Sequence, residues 1–88
     1  HGSKQEYKLK LQPDILIKVR SCSVIGGTSF ILLVYRKLIQ VFDIKQEKIV
    51  YSYGYEDIYD ARVIDKDLYL ATANHLLKID DVFSRFTV

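Results

Sequence analysis

Cysteine, histidine and proline are scarce in this chain of 88 residues, and methionine and tryptophan are absent. The single cysteine, Cys22, excludes an internal disulfide bond and a zinc site built from several cysteines. Its apolar neighbours predict a small buried residue rather than a reactive nucleophile. Because a chain without disulfides suits a reducing compartment, we expect an intracellular protein of the cytoplasm or nucleus.

Catalytic and metal-binding patterns are missing as well. Gly26-Gly27 lacks the following Lys-Ser/Thr that a phosphate-binding loop needs. His75 follows Asn74 in a predicted turn, and it is the one histidine outside residues 1–3, which resemble the remnant of a purification tag. A metal site needs several convergent ligands, and a catalytic triad would depend on His75 alone. We therefore predict a protein without catalytic residues, cofactor or metal ion.

Long hydrophobic runs are also absent, and the charge is nearly balanced. The longest apolar run, residues 30–35, is far too short to span a bilayer, so no membrane partner is expected. Residues 1–44 contain seven Lys/Arg and three Asp/Glu, whereas residues 45–88 contain six and eight. A basic first half suits either nucleic acid or a solvated strand edge protected by lysines, and we favour the second interpretation.

The residues that are present favour β-strands, since Ile, Val, Leu, Tyr and Phe dominate the apolar set. Period-two alternation and short apolar runs between turn residues predict strands at residues 7–11, 15–25, 30–35, 38–44, 49–53, 59–64, 68–73 and 76–82. A turn is predicted at residues 26–29. The unbroken apolar run at residues 30–35 predicts a strand buried on both faces. The expected fold class is all-β and antiparallel, with about eight strands.

The order of turns and strands recurs at a spacing of 38 residues. This offset pairs apolar and acidic positions of the two halves: Phe30 with Leu68, Leu32 with Leu70, Leu38 with Leu76, Val41 with Ile79, and Asp43 with Asp81. Upstream the offset becomes 39, which pairs Val24-Ile25 with Val63-Ile64. A period of about 20–50 residues is typical of repeat architectures.

Several segments resemble blades of a WD-repeat propeller. The predicted strand at residues 38–44 ends in Phe42-Asp43, an aromatic-Asp pair where the family has Trp-Asp. Gly54-Tyr55 resembles the Gly-His pair that opens a blade, and Thr72 matches the family's Ser/Thr. The likeness covers residues 15–88.

The resemblance implies two blade-like, four-stranded units, residues 15–54 and residues 55–88, with the outer strand of the second unit incomplete. Residues 4–14 would then supply an outer strand that closes a ring. Propellers have about four to eight blades, so two units imply a larger assembly, formed with other blades or by self-association through open strand edges.

The implied function is that of a protein-binding scaffold, and the loops between the units are the expected contact region. Tyrosine is enriched at such interfaces because it offers a large rigid area with a polar tip. We expect Tyr55 and Tyr59 to be the main anchors. The candidate partner-binding residues are Tyr53, Tyr55, Glu56, Asp57, Tyr59, Arg36, Lys37, Asn74 and His75. The alternative hypothesis is a small β-barrel or sandwich that binds nucleic acid through the basic first half.

Overall fold

A computed structural model describes residues 3–23 and 29–87, and it contains seven strands and one short 3-10 helix. The all-β, antiparallel fold class is therefore confirmed. The strands are β1 (Leu16–Ser23), β2 (Ser29–Tyr35), β3 (Leu38–Asp43), β4 (Lys48–Gly54), β5 (Ile58–Ile64), β6 (Asp67–Thr72) and β7 (Leu76–Ile79), followed by the 3-10 helix Val82–Arg85.

The strands form two antiparallel sheets in which neighbours along the chain are also neighbours in space. The first sheet has the order β1-β2-β3-β4, and the second has the order β5-β6-β7. Four strands, the outer one incomplete, were expected in the second unit, but the described residues form three. After β7 the chain turns at Asp81, which adopts left-handed backbone angles, and the buried Val82 donates a backbone hydrogen bond to Lys66. This turn directs the last residues over the core instead of along the sheet edge.

No strand forms at residues 7–11, so that prediction is wrong for the described structure. Residues 3–14 instead lie against the first sheet as an irregular segment, here called the N-terminal strap. The ring of Tyr7 meets the ring of Phe42 edge-on at 5.8 Å, and the Gln12 amide donates to the Tyr35 hydroxyl at 3.3 Å. Of the apolar side chains in the alternation that suggested a strand, Tyr7 contacts the sheet and Leu9 is half-buried, whereas Leu11 is 52% exposed.

Some predictions fall outside the described residues. Residues 26–28 of the predicted turn lie outside them, and so do residues 24–25 of the predicted strand at 15–25. The pairing of Val24-Ile25 with Val63-Ile64 is therefore outside the described structure as well. The same holds for His1-Gly2 of the predicted tag remnant. The other predicted strands match observed ones to within a few residues at each end.

The core lies between the inner faces of the two sheets. The first sheet contributes Leu32, Val34, Ile39, Val41 and Val50, and the second contributes Ile58, Ala61, Leu68 and Leu70, with Val82 from the 3-10 helix. On the other face of β2, Leu33 and Tyr35 are also buried. The prediction that β2 is covered on both faces is thus confirmed.

One ion pair joins the two sheets where β1 approaches β5. Arg20 Nε donates to Asp60 Oδ1 at 3.0 Å, and Arg20 Nη2 donates to Asp60 Oδ2 at 2.6 Å. The backbone N–H of Ala61 donates to the same carboxylate at 2.8 Å. The hydrogen bonds from the Arg20 guanidinium hold the pKa of Asp60 below its ordinary value, and burial opposes this shift only in part.

Aromatic residues attach the last part of the chain to the first sheet. The Phe86 ring lies 5.0 Å from Phe30 and 5.9 Å from Tyr51 between ring centroids. The backbone N–H and the hydroxyl of Thr87 both donate to the Val50 carbonyl of β4, each at 2.8 Å. The residues that follow the second sheet therefore stabilise the first.

We expect Leu32→Ala to lower the free energy of unfolding by about 3 kcal/mol, because a fully buried leucine loses its transfer energy and leaves a cavity. The same change at Leu11, which is 52% exposed, should cost less than about 0.5 kcal/mol. Urea denaturation followed by circular dichroism measures both. Equal losses at the two positions would contradict the described core.

We expect Asp60→Asn to lower stability at neutral pH, because it removes the charged partner of Arg20. The folded-state pKa of Asp60 is depressed, so its contribution is present above the unfolded-state pKa and disappears as the pH falls through the folded-state pKa. Urea denaturation of the unsubstituted chain and of Asp60→Asn at a series of pH values measures this. The difference between their free energies of unfolding should decrease as the pH falls. Asp65→Asn is the control, since Asp65 makes no ion pair with a described residue and asparagine tolerates its positive φ. A difference that does not change with pH would contradict the charge-based explanation.

Candidate functional site

Two connections meet at one end of the molecule and are joined by backbone hydrogen bonds. The β2–β3 turn contains Arg36 and Lys37, and the β4–β5 connection contains residues 55–57. The Tyr55 amide donates to the Lys37 carbonyl at 3.0 Å, and the Ile58 amide donates to the Arg36 carbonyl at 2.9 Å. The turn of the first unit therefore holds the connection to the second unit in place.

A third segment, residues 13–15, lies at the same end. The Asp14 carboxylate accepts hydrogen bonds from the Ile15 amide at 2.7 Å and from the Lys37 amide at 2.9 Å. The Arg36 amide donates to the Ile15 carbonyl at 3.1 Å. We call this region the loop-end surface, and its members are Arg36, Lys37, Tyr55, Glu56, Asp57, Tyr59 and residues 13–15.

Arg36 stands at the centre of the loop-end surface. Its Nη2 lies 3.4 Å from Asp57 Oδ1, and its guanidinium carbon lies 6.0 Å from the centroid of the Tyr59 ring. The first contact is a long ion pair, and the second is at the outer limit of a cation-π contact. Asp57 has a φ of 55°, so its backbone takes the left-handed conformation that non-glycine residues seldom adopt. Arg36 is thus placed between a carboxylate and an aromatic ring.

A cleft of about 710 Å³ opens on this surface, and its walls carry charges of both signs. Its lining residues are Pro13, Asp14, Ile15, Arg36, Lys37, Glu56 and Asp57. Cations and carboxylates side by side, next to the apolar side chains of Pro13 and Ile15, can recognise an extended peptide of mixed charge.

The tyrosines of the candidate set differ in exposure. Tyr53 and Tyr55 stack with ring centroids 6.4 Å apart, and both are half-buried against the core. Tyr59 is 55% exposed. Of the two expected anchors, Tyr59 is therefore accessible to a partner, whereas much of Tyr55 serves the fold.

Asn74 and His75 lie in the β6–β7 turn. The pairing of Ile58 with Thr72 places this turn at the end of the second sheet where β5 begins. The Thr72 hydroxyl accepts hydrogen bonds from the His75 amide at 3.0 Å and the Asn74 amide at 3.4 Å. Both side chains are exposed, but β6 separates their strand from β5, so they flank the loop-end surface rather than belong to it.

Asp43 and Asp81, the two aspartates that the 38-residue repeat pairs, both lie in turns. The Asp43 carboxylate accepts bonds from the Lys45 amide, the Gln46 amide and Gln46 Nε2, at 2.8, 3.1 and 2.7 Å. Burial would raise the pKa of Asp43, but these hydrogen bonds lower it overall. In the second unit, the Asp81 amide donates to Asp67 Oδ1 at 2.9 Å. The Asp43 carboxylate thus stabilises the turn after β3, whereas Asp81 contributes its backbone amide to a contact with the start of β6.

Sequence reasoning missed the contribution of residues 13–15. Pro13-Asp14 carried a signal, since an aspartate after a proline often bonds to nearby amides in a turn. Nothing in the local pattern, however, indicated that the second carboxylate oxygen of Asp14 would reach Lys37, 23 residues away. That contact depends on the tertiary fold.

Other chemistry finds little support among the described residues. No group of three His, Cys, Asp or Glu side chains there is arranged to hold a metal ion, and no helix in residues 3–23 or 29–87 has the length and apolarity to cross a membrane. Cys22 is buried as predicted, and burial raises its pKa to about 11, which keeps the thiol protonated.

Comparison with protein-family models, curated proteins and solved structures gives no significant match for this chain.

Proposed function

We propose that this chain is a non-catalytic protein-interaction scaffold, part of a WD-repeat-like propeller assembly, and that it binds a segment of a protein partner at the loop-end surface. The observation that carries the proposal is the convergence of three separate chain segments around Arg36, next to the exposed Tyr59. The repeated order of strands and the blade-like segments support the assembly part of the proposal.

The chemistry of the surface indicates what kind of segment would bind. Arginine and tyrosine are the residue types most often found to dominate binding energy at protein interfaces. Asp57 and Tyr59 lie beside the Arg36 side chain, and backbone hydrogen bonds hold the loops that carry these residues. A preformed site loses less conformational entropy when it binds. A partner segment with an acidic group for Lys37, a basic group for Glu56 and an apolar or aromatic residue for Tyr59 fits this arrangement.

The nucleic-acid alternative receives less support from the side chains. Three basic residues of the first half already contact carboxylates: Lys4 with Glu6 at 3.2 Å, Arg20 with Asp60, and Arg36 with Asp57. Affinity for nucleic acid depends mainly on cations that are free to neutralise phosphates. These pairings reduce the positive field that the composition suggests.

We expect Tyr59→Ala and Arg36→Ala each to weaken a captured partner by about tenfold or more, as truncation of an interface anchor does. Partners captured from cell extract by the unmodified chain would be purified and titrated against each variant by calorimetry. Asparagine at position 57 tolerates the left-handed backbone but cannot form the ion pair with Arg36. Asp57→Asn therefore tests the contribution of the Asp57 charge alone. Tyr7→Ala is the control, because Tyr7 is also exposed but lies on the N-terminal strap. Unchanged affinity in folded Tyr59→Ala and Arg36→Ala would refute the proposed surface.

The same chain should show no tight binding to a fluorescent single-stranded oligonucleotide. Anisotropy titrations at low and at physiological salt measure this directly. Strong binding that weakens steeply with added salt would replace the scaffold proposal with the nucleic-acid alternative.

A further inference from the structure

The two sheets differ in how their outer faces are covered. On the first sheet, Leu33, Tyr35 and Phe42 are buried, and the N-terminal strap contacts Tyr35 and Phe42. On the second sheet, strand register places eight side chains on the face opposite the core: Asp60, Arg62, Ile64, Asp67, Tyr69, Ala71, Leu76 and Lys78. We call this set the open face.

The open face carries an exposed apolar side chain on each outer strand, and Arg62 and Lys78 flank Tyr69 in its middle row. Leu76 is 71% exposed and Ile64 is 52% exposed, while Tyr69 and Ala71 lie between them at half-buried positions. A hydrophobic side chain as exposed as Leu76, on an ordered strand beside other apolar groups, is typical of a surface that another molecule covers.

The open face has both a protrusion and a recess. Leu76 projects beside a hollow of about 140 Å³, whose other lining residues are Asp60, Ala61, Arg62, Tyr69 and Ala71. A two-fold axis brings the same patch of two copies together, so a protrusion on each must find a recess on the other. The open face provides both, because Leu76 is the protrusion and the hollow beside it is the recess.

The charges at the hollow are also suited to pairing with an identical surface. Arg62 makes no ion pair with any described residue. The Asp60 carboxylate lies at the same hollow; it is bonded to Arg20, but its side chain is 40% exposed and a carboxylate has lone pairs for a second arginine. Two-fold pairing can bring Arg62 of one copy to Asp60 of the other, and it does so twice. Lys78 is already held by Asp67 at 3.7 Å and by Asp80 at 3.3 Å.

We propose that two copies of this chain form a two-fold dimer through their open faces, with Leu76 of each copy entering the hollow of the other. The contact is face to face. Edge pairing through β7 is disfavoured because that strand has four residues and carries Lys78, and short edge strands with lysine resist pairing. The open face shares no residue with the loop-end surface, so the dimer and the scaffold proposal can fail separately.

The test is the mass of the full chain by sedimentation equilibrium over a wide range of concentrations. The expected result is a reversible dimer of twice the 10.3 kDa chain mass. Leu76→Asp and, separately, Arg62→Glu should each raise the dimer dissociation constant by about tenfold or more. Ile15→Asp is the matched control, because Ile15 is 66% exposed but lies away from the open face, and its dimer should be unchanged.

Three results would overturn the proposal: a wild-type chain that stays monomeric at the highest concentration, assembly beyond a dimer, or a dimer equally sensitive to Ile15→Asp. Dilution of the unsubstituted chain, followed by NMR, gives an independent measurement in case a variant fails to fold. Shifts concentrated at Arg62, Tyr69 and Leu76 support the dimer, and shifts confined to other surfaces refute it.

Discussion

The strand Ser29–Tyr35 has to exclude water from both of its faces, and the rest of the molecule is arranged to meet that need. Leu32 and Val34 point to the second sheet, while Leu33 and Tyr35 are buried on the other side. No single sheet can cover both faces, because side chains alternate along a strand. The second sheet therefore packs on one face, and the N-terminal strap contacts the other.

Local sequence pattern predicted most of the strands because each is a short apolar or alternating run bounded by turn residues. The failure at residues 7–11 is informative. Alternation shows that a segment has one apolar side, but it does not show whether a strand edge is available to pair with it. Here the segment lies on a sheet face instead. The incomplete outer strand that was expected after β7 does not form, because burial of Val82 directs the chain across the core.

The loop-end surface was predictable in part because the order of strands decides which turns share an end. Arg36 lies in the β2–β3 turn and Asp57 in the β4–β5 connection, and alternate turns of consecutive antiparallel strands lie at the same end, so their proximity follows from the order of strands. The pair Arg20 and Asp60 was not predictable, since 40 residues separate them and neither has an unusual local context. Such contacts depend on how the two sheets pack, and a local sequence pattern does not predict them.

The bond between Thr87 and the Val50 carbonyl also bears on the order in which the molecule folds. It closes a loop of 37 residues, and that closure costs chain entropy that only the completed second sheet can offset. We therefore expect the hairpins to form early and this closing contact to form late. Phe86 packs on Phe30 and Tyr51 of the first sheet, so these two rings become exposed if residues 86–87 detach. The two sheets should therefore unfold in one cooperative step.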